Sequence, residues 1–190
     1  MRIIVAITGA SGVIYGVKLV EELKRIDKGI ELHLIISDTA KEIISLETEY
    51  NLHDIEKMVT KAYDNNNMSA TLASGSFRHD GMVIVPCSLK TLSAIANGYA
   101  GSLISRAAIC SLKENMKLII VPRETPLDRT SLLNMLKAME NGAIILPAMP
   151  AFYHRPKNIS ELINYIVGKI LDQLNIKHDL FKRWGNDKDS

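Results

Sequence analysis

The run Leu118-Ile119-Ile120-Val121-Pro122-Arg123-Glu124-Thr125-Pro126-Leu127 decides how the rest of the chain is read. It opens on four apolar residues, three of them β-branched, with no polar alternation. A strand buried on both faces of a parallel sheet has this pattern. Two prolines then exclude a helix across the junction, and an Arg and a Glu stand where the strand ends. In open α/β sheets ligands bind beyond the carboxyl ends of the strands, so Arg123 and Glu124 are candidate site residues. Alone, the pair is equally a solvated turn closed by its own ion pair.

The bounds on the chain are those of an ordinary globular protein. Its 190 residues suffice for one domain with a full core. Apolar residues make up 47% and the net charge is +2, so no polyanionic partner is indicated and Lys and Arg form no nucleic-acid surface. Two cysteines, Cys87 and Cys110, give no disulfide framework and point to a reducing compartment. No apolar run approaches the roughly 20 residues of a membrane span, and Met1-Arg2 leads straight into an apolar strand with no cleavage-type site. The expectation is a cytoplasmic protein with no signal peptide.

Outward from the decisive run, buried strands are expected at Arg2–Thr8, Glu31–Ser37, Gly81–Pro86 and Ala143–Pro147. Between them helical spacing covers Val13–Lys28, Lys41–Glu49, His53–Ala62, the segment to Asn97, Leu103–Lys113, Asp128–Asn141 and Ile159–Leu174. Five short strands alternating with helices predict one α/β domain, a doubly wound parallel sheet in a three-layer sandwich, with a polar tail from about residue 176. Tyr63–Asp80 is irregular, and a polar loop of that length is more often functional than idle.

Polar residues recur after successive strands. Gly9-Ala10-Ser11-Gly12 lies between a strand and a helix, a geometry that aims backbone N–H groups at an anion. Ser37 either caps nothing and meets the same anion as Ser11, or belongs with Asp38 and Thr39 to a helix cap. Ser88 reads as a cap or a ligand contact, and Cys87 as a small buried residue. Ser11, Ser37, Ser88, Arg123, Glu124 and Tyr153 all fall at one edge of the predicted sheet, and this convergence favours a site over scattered turns.

Several chemistries do not fit. The five histidines have no ligand spacing, so a metal site is not expected. The spacing Tyr153–Lys157 matches a reductase pair, but Pro156 breaks the helix it needs. What remains is a phosphate-bearing ligand with a flat polar body, over which Arg123 could face a ring carrying negative charge, as a reduced flavin does.

Five elements in order then carry a resemblance: Thr8–Gly12, Pro86-Cys87-Ser88-Leu89-Lys90-Thr91-Leu92, Leu112-Lys113-Glu114, Val121–Leu127 and Pro147–Tyr153. With them the chain resembles, end to end, the UbiX-like flavin prenyltransferases, whose fold is Rossmann-like or flavodoxin-like. The related cysteine decarboxylases carry Pro-Ala-Ser-Ala-Asn-Thr at the third strand, and Pro86–Thr91 lacks that Asn. The resemblance implies FMN on Gly9, Ala10, Ser11, Ser37, Ser88, Leu89, Lys90, Thr91 and Arg123. It implies dimethylallyl monophosphate on Tyr153 and Lys169, with Arg106 and Lys113 close by, and Glu124 and Ser11 as the catalytic residues. The reaction implied is transfer of a prenyl group to N5 and C6 of reduced FMN without a metal, the product passing to a partner decarboxylase. A carrier of FMN for such a decarboxylase, or a flavin-dependent decarboxylase of the same superfamily, is the alternative. The resemblance also implies a homo-oligomer, a dodecamer, with sites between subunits. Two departures bear on the donor: Lys169 stands where many members have Arg, and Tyr63–Leu72 offers no aromatic beyond Tyr63.

Overall fold

A computed structural model describes residues 1–185. Six parallel strands form one sheet: β1 (Arg2–Ile7), β2 (Glu31–Ile36), β3 (Lys61–Asp64), β4 (Gly81–Cys87), β5 (Leu118–Pro122) and β6 (Ile144–Ile145). Their order across the sheet is β3-β2-β1-β4-β5-β6. The chain thus winds outward in one direction from β1 and in the other from β4, and the switch point lies between these two strands.

The apolar runs of β1, β4 and β5 are explained by cover on both faces. Ile3, Val5 and Ile7 point to one face and Ile4 and Ala6 to the other, as the two-residue period requires. The first face packs against α1 (Val13–Ile26), α2 (Asp38–Glu47), α3 (Leu52–Lys57) and α7 (Ile159–Gln173). The second packs against α4 (Leu89–Ala96), α5 (Leu103–Lys113) and α6 (Arg129–Glu140). No helix among the described residues is long and apolar enough to cross a membrane.

Two glycines let α1 sit where it does. Gly12, its N-cap, has φ +96°, a left-handed conformation costly for any other residue. Gly16 lets the helix settle on the sheet, since a Cβ there would stand 2.4 Å from the Val85 carbonyl oxygen.

The structure departs from the sequence expectation at four places. The helix expected over His53–Ala62 stops at Lys57, and Lys61–Asp64 instead adds a sixth strand beside β2. That edge is held by side chains: the Tyr63 hydroxyl meets His33 Nδ1 at 2.9 Å, and Leu32 N–H donates to Thr60 Oγ1 at 3.0 Å. The strand expected over Ala143–Pro147 keeps ladder pairing only at Ile144 and Ile145, after which Pro147 ends it. Helix α2 begins at Asp38, so Ser37 is the cap, accepting from Ala40 N–H at 3.2 Å. Finally, the tail beyond residue 176 folds back along α7, with His178 fully buried and a Phe181–Tyr165 ring contact at 4.9 Å.

Candidate functional site

The sheet's switch point is built around a buried threonine. Thr8 N–H and Oγ1 both donate to the Pro86 carbonyl, at 3.2 and 2.8 Å, and Thr8 Oγ1 accepts from Ser88 N–H at 2.7 Å. This ties the loop after β1 to the loop after β4, and fixes the mouth of a cavity of about 820 Å³ between them. Ligand pockets commonly span roughly 300–1,000 Å³. Thr8 lies in the quoted Thr8–Gly12 element, yet its role as the tie between strands needs the β1–β4 pairing and was not readable from sequence.

Three helix starts open on this cavity: Ser37 of α2, Ser88 of α4 and Ser102 of α5 all line it and each caps its helix. Each cap satisfies one N–H and leaves others of the first turn, together with the positive end of the helix dipole, for an anion. The three differ in charge. Asp38 stands in the first turn of α2, whereas α4 and α5 have no acidic residue there and α4 adds Lys90. The Lys41 ammonium, and next the Asn66 amide, hold the Asp38 carboxyl below its ordinary pKa, so it remains ionised. An anionic group in the cavity therefore meets no carboxylate at the starts of α4 and α5, and at the start of α2 it meets Asp38 already paired with Lys41 at 3.0 Å.

The expected residues Gly9, Ser37, Ser88, Lys90 and Thr91 line the cavity. Ser11 does not, and its surroundings are different. Arg123 Nε donates to the Ser11 carbonyl at 3.0 Å, joining the loops after β1 and β5. Gly12 N–H donates to Glu47 Oε2 at 2.8 Å, so a carboxylate already occupies that N–H of the glycine turn. Glu124 accepts from Thr125 N–H at 3.1 Å and makes no ion pair with Arg123 among the described residues, contrary to the simple turn reading. Cys87 is fully buried and its thiol is pushed far up by that burial, which removes it as a nucleophile.

Sequence reasoning missed much of the cavity wall. Asn65 and Asn66 come from the loop after β3, and Tyr99 and Ser105 from around the start of α5. Asn65 also supports α5 directly, its carbonyl and Oδ1 accepting from Leu103 and Ile104 N–H at 2.8 and 3.2 Å. The triple Asn65-Asn66-Asn67 in a long polar loop was the available signal. Tyr99 brings the exposed aromatic ring that the 63–72 loop lacks, while Tyr63 is committed to His33.

The remaining candidates lie elsewhere. Tyr153 and Lys169 sit with α7 on the first face of the sheet, Tyr153 against Tyr165 and Trp184 at 6.0 and 5.5 Å between centroids. Arg106 and Lys113 sit on α5, which packs on the second face. Arg106 Nε donates to the Ala73 carbonyl at 2.9 Å. Lys113 pairs with Glu114 at 3.4 Å at the far end of α5, about 16 Å from the cavity end at 1.5 Å per residue. One chain does not bring these three cations and Tyr153 together.

The hydroxyls and amides of the cavity, its helix starts and Lys90 fit a phosphate-bearing polar cofactor such as FMN, while Ala10, Leu89 and Arg123, like Ser11, do not line it. Residues 1–171 match the model of the Flavoprotein family. The chain is 51% identical to the flavin prenyltransferase UbiX of Thauera aromatica, over 99% of this chain and 96% of that protein. Among solved structures it resembles a dodecameric FMN-dependent UbiX-like decarboxylase from Escherichia coli O157:H7, with TM-score 0.94 and 42% identity over 97% and 99% of the two chains. It also resembles AnUbiX (PadA1) in complex with FMN and dimethylallyl pyrophosphate, with TM-score 0.93 and 43% identity over 96% of each chain.

Proposed function

Because this chain belongs to the flavoprotein family, among the UbiX flavin prenyltransferases, we propose that it joins a dimethylallyl group from dimethylallyl monophosphate to reduced FMN. The observation that carries the reading is the cavity at the β1–β4 switch point, walled by capping serines and helix starts that suit a phosphate ester. FMN, when bound in its reduced form, supplies the nucleophilic ring positions N5 and C6. The rest is the work of this chain.

Gly9, Ala10, Ser11, Ser37, the Ser88-Leu89-Lys90-Thr91 turn and Arg123 would hold the cofactor, the hydroxyls and helix starts suiting its phosphate. The Arg123 guanidinium, kept in place by the Ser11 carbonyl, offsets negative charge at the ring. Tyr153, Lys169, Arg106 and Lys113 take the donor phosphate. As the C–O bond breaks its electron pair goes to the phosphate, and these cations stabilise the charge that develops there. The Tyr153 ring offers an electron-rich face to the allylic carbon left positive. Its phenol is raised above the ordinary pKa, first by desolvation and then by Tyr165, so it stays protonated and can donate to a phosphate oxygen. Glu124, which makes no ion pair with Arg123 among the described residues, would accept the proton released on the second bond, with Ser11 as the second catalytic residue.

The donor groups of one chain lie on opposite faces of its sheet, so the protein acts as a homo-oligomer with donor sites shared between subunits, as a dodecamer on the pattern of the E. coli relative. We place this single-domain protein in the cytoplasm, which two unpaired cysteines favour, and its product with a decarboxylase that uses prenylated FMN. The test is to supply dimethylallyl phosphate to reduced, FMN-loaded protein and weigh the extracted flavin. A mass gain of one prenyl unit is expected; an unchanged flavin overturns the proposal.

A further inference from the structure

We propose that Arg183, on the folded-back C-terminal segment, is a further ligand of the donor phosphate, and that Asp172 is the residue that positions it. The inference rests on the assignment of Tyr153 and Lys169 to the donor and adds residues that the sequence did not single out.

The segment is seated rather than appended. Its turn from α7 is closed by Ile176 N–H donating to the Leu171 carbonyl at 3.0 Å, and Asp179 lies 3.6 Å from Arg25 of α1. Gly168 of α7 accommodates it: a Cβ there would stand 2.6 Å from the Phe181 ring and 2.7 Å from His178 Cε1. Trp184 packs edge-on against Tyr153, and Arg183 lies 5.4 Å above the Phe181 ring.

One carboxylate organises the charges. Asp172 Oδ1 and Oδ2 accept from Arg183 Nη2 and Nη1 at 2.6 and 3.2 Å, and Lys169 Nζ lies 3.6 Å from Oδ2. His178 Nε2 completes the group at 3.2 Å from Oδ1. Burial pushes the Asp172 carboxyl up, but the Arg183 guanidinium and then the His178 ring bonded to it together hold it below its ordinary pKa, and the carboxyl stays ionised. Lys169 and Arg183 therefore share one anion, and the positive charge it does not offset belongs to side chains still open to solvent, 46% for Arg183 and 40% for Lys169. A guanidinium has five N–H donors in a plane. With its fork partly used on Asp172, the remaining donors beside Tyr153 match the oxygens of a phosphate. Asp172 thus keeps Lys169 and Arg183 adjacent without cancelling both, and Arg183 is close enough to Tyr153 to act on its phenol electrostatically.

The test uses the FMN-loaded protein and two probes, dimethylallyl phosphate in turnover and inorganic phosphate in calorimetric titration. Arg183→Ala should raise the KM for dimethylallyl phosphate and weaken inorganic phosphate about tenfold or more, the scale of a lost charge-assisted hydrogen bond. FMN affinity should not move, and Arg183→Lys should recover part of the phosphate binding. Asp172→Asn should show the same KM effect in weaker form. Unchanged KM and unchanged phosphate binding in Arg183→Ala overturn the inference. So does a parallel loss of FMN and thermal stability in both Arg183 variants, which would mark a purely structural anchor. Wild-type protein that makes no prenylated flavin defeats the proposed function instead, and the phosphate titration still decides Arg183.

Discussion

Ser37 shows how a single side chain can serve the fold and the ligand together. Its Oγ accepts from Ala40 N–H as the cap of α2, and it still has a hydroxyl proton to give at the cavity wall. Ser37→Ala should weaken FMN by about 1 kcal/mol or somewhat more, the net scale of a hydrogen bond to a charged group, while riboflavin is unaffected. Parallel titration of the two flavins checks this, and equal losses would move the phosphate elsewhere. His79 illustrates a residue with no part in the site. Its Nε2 meets Ser111 Oγ at 2.9 Å, and burial lowers its pKa from 6.5 to about 4. Between those values the unfolded chain binds a proton that the folded one refuses, so stability falls as pH drops from about 6.5 toward 4. Denaturant unfolding across that range should show the slope, and His79→Gln should flatten it.

At the scale of elements, the packing of α1 depends on the absence of a side chain at Gly16. Gly16→Ala would press a methyl onto the Val85 carbonyl and onto Ile7, and should cost about 1–3 kcal/mol in chemical denaturation, as overpacked cores do. The long apolar runs at Ile3–Ile7, Met82–Val85 and Leu118–Val121 made the central strands legible, because burial on both faces leaves no other residue choice. The edge strands were not legible for the opposite reason. Lys61–Asp64 is mostly exposed and carries no period, and Ile144–Ile145 is only two residues long. The site follows the same division. Gly9, Ser37 and Ser88 stand just after central strands and could be found by position alone, whereas Lys90 and Thr91 came with the family motif. Asn65, Asn66 and Tyr99 reach the cavity only through tertiary packing, and Arg183 only because the tail reverses along α7. The family resemblance supplied Lys169, Arg106 and Lys113, which no pattern of spacing distinguishes from ordinary surface residues, and gave Tyr153, found by its place after a strand, its donor role.

Across the whole molecule the two halves of the chemistry are built differently. The lining of the cofactor cavity is gathered within one chain, from around the ends of β1, β2, β3 and β4. The donor groups are not, because α5 carries Arg106 and Lys113 on one face of the sheet while α7 carries Lys169 on the other. On the proposed function assembly brings them together, and that division is the centre of the account. It is tested most directly by mixing subunits. Protein carrying Arg106→Ala and protein carrying Lys169→Ala are each expected to bind FMN and to form no prenylated flavin. Dissociated and reassembled together, they should regain prenyl transfer, since some shared sites then draw the intact Arg106 and the intact Lys169 from different chains. Mixed assemblies, verified by mass, that stay as inactive as their parents would contradict it.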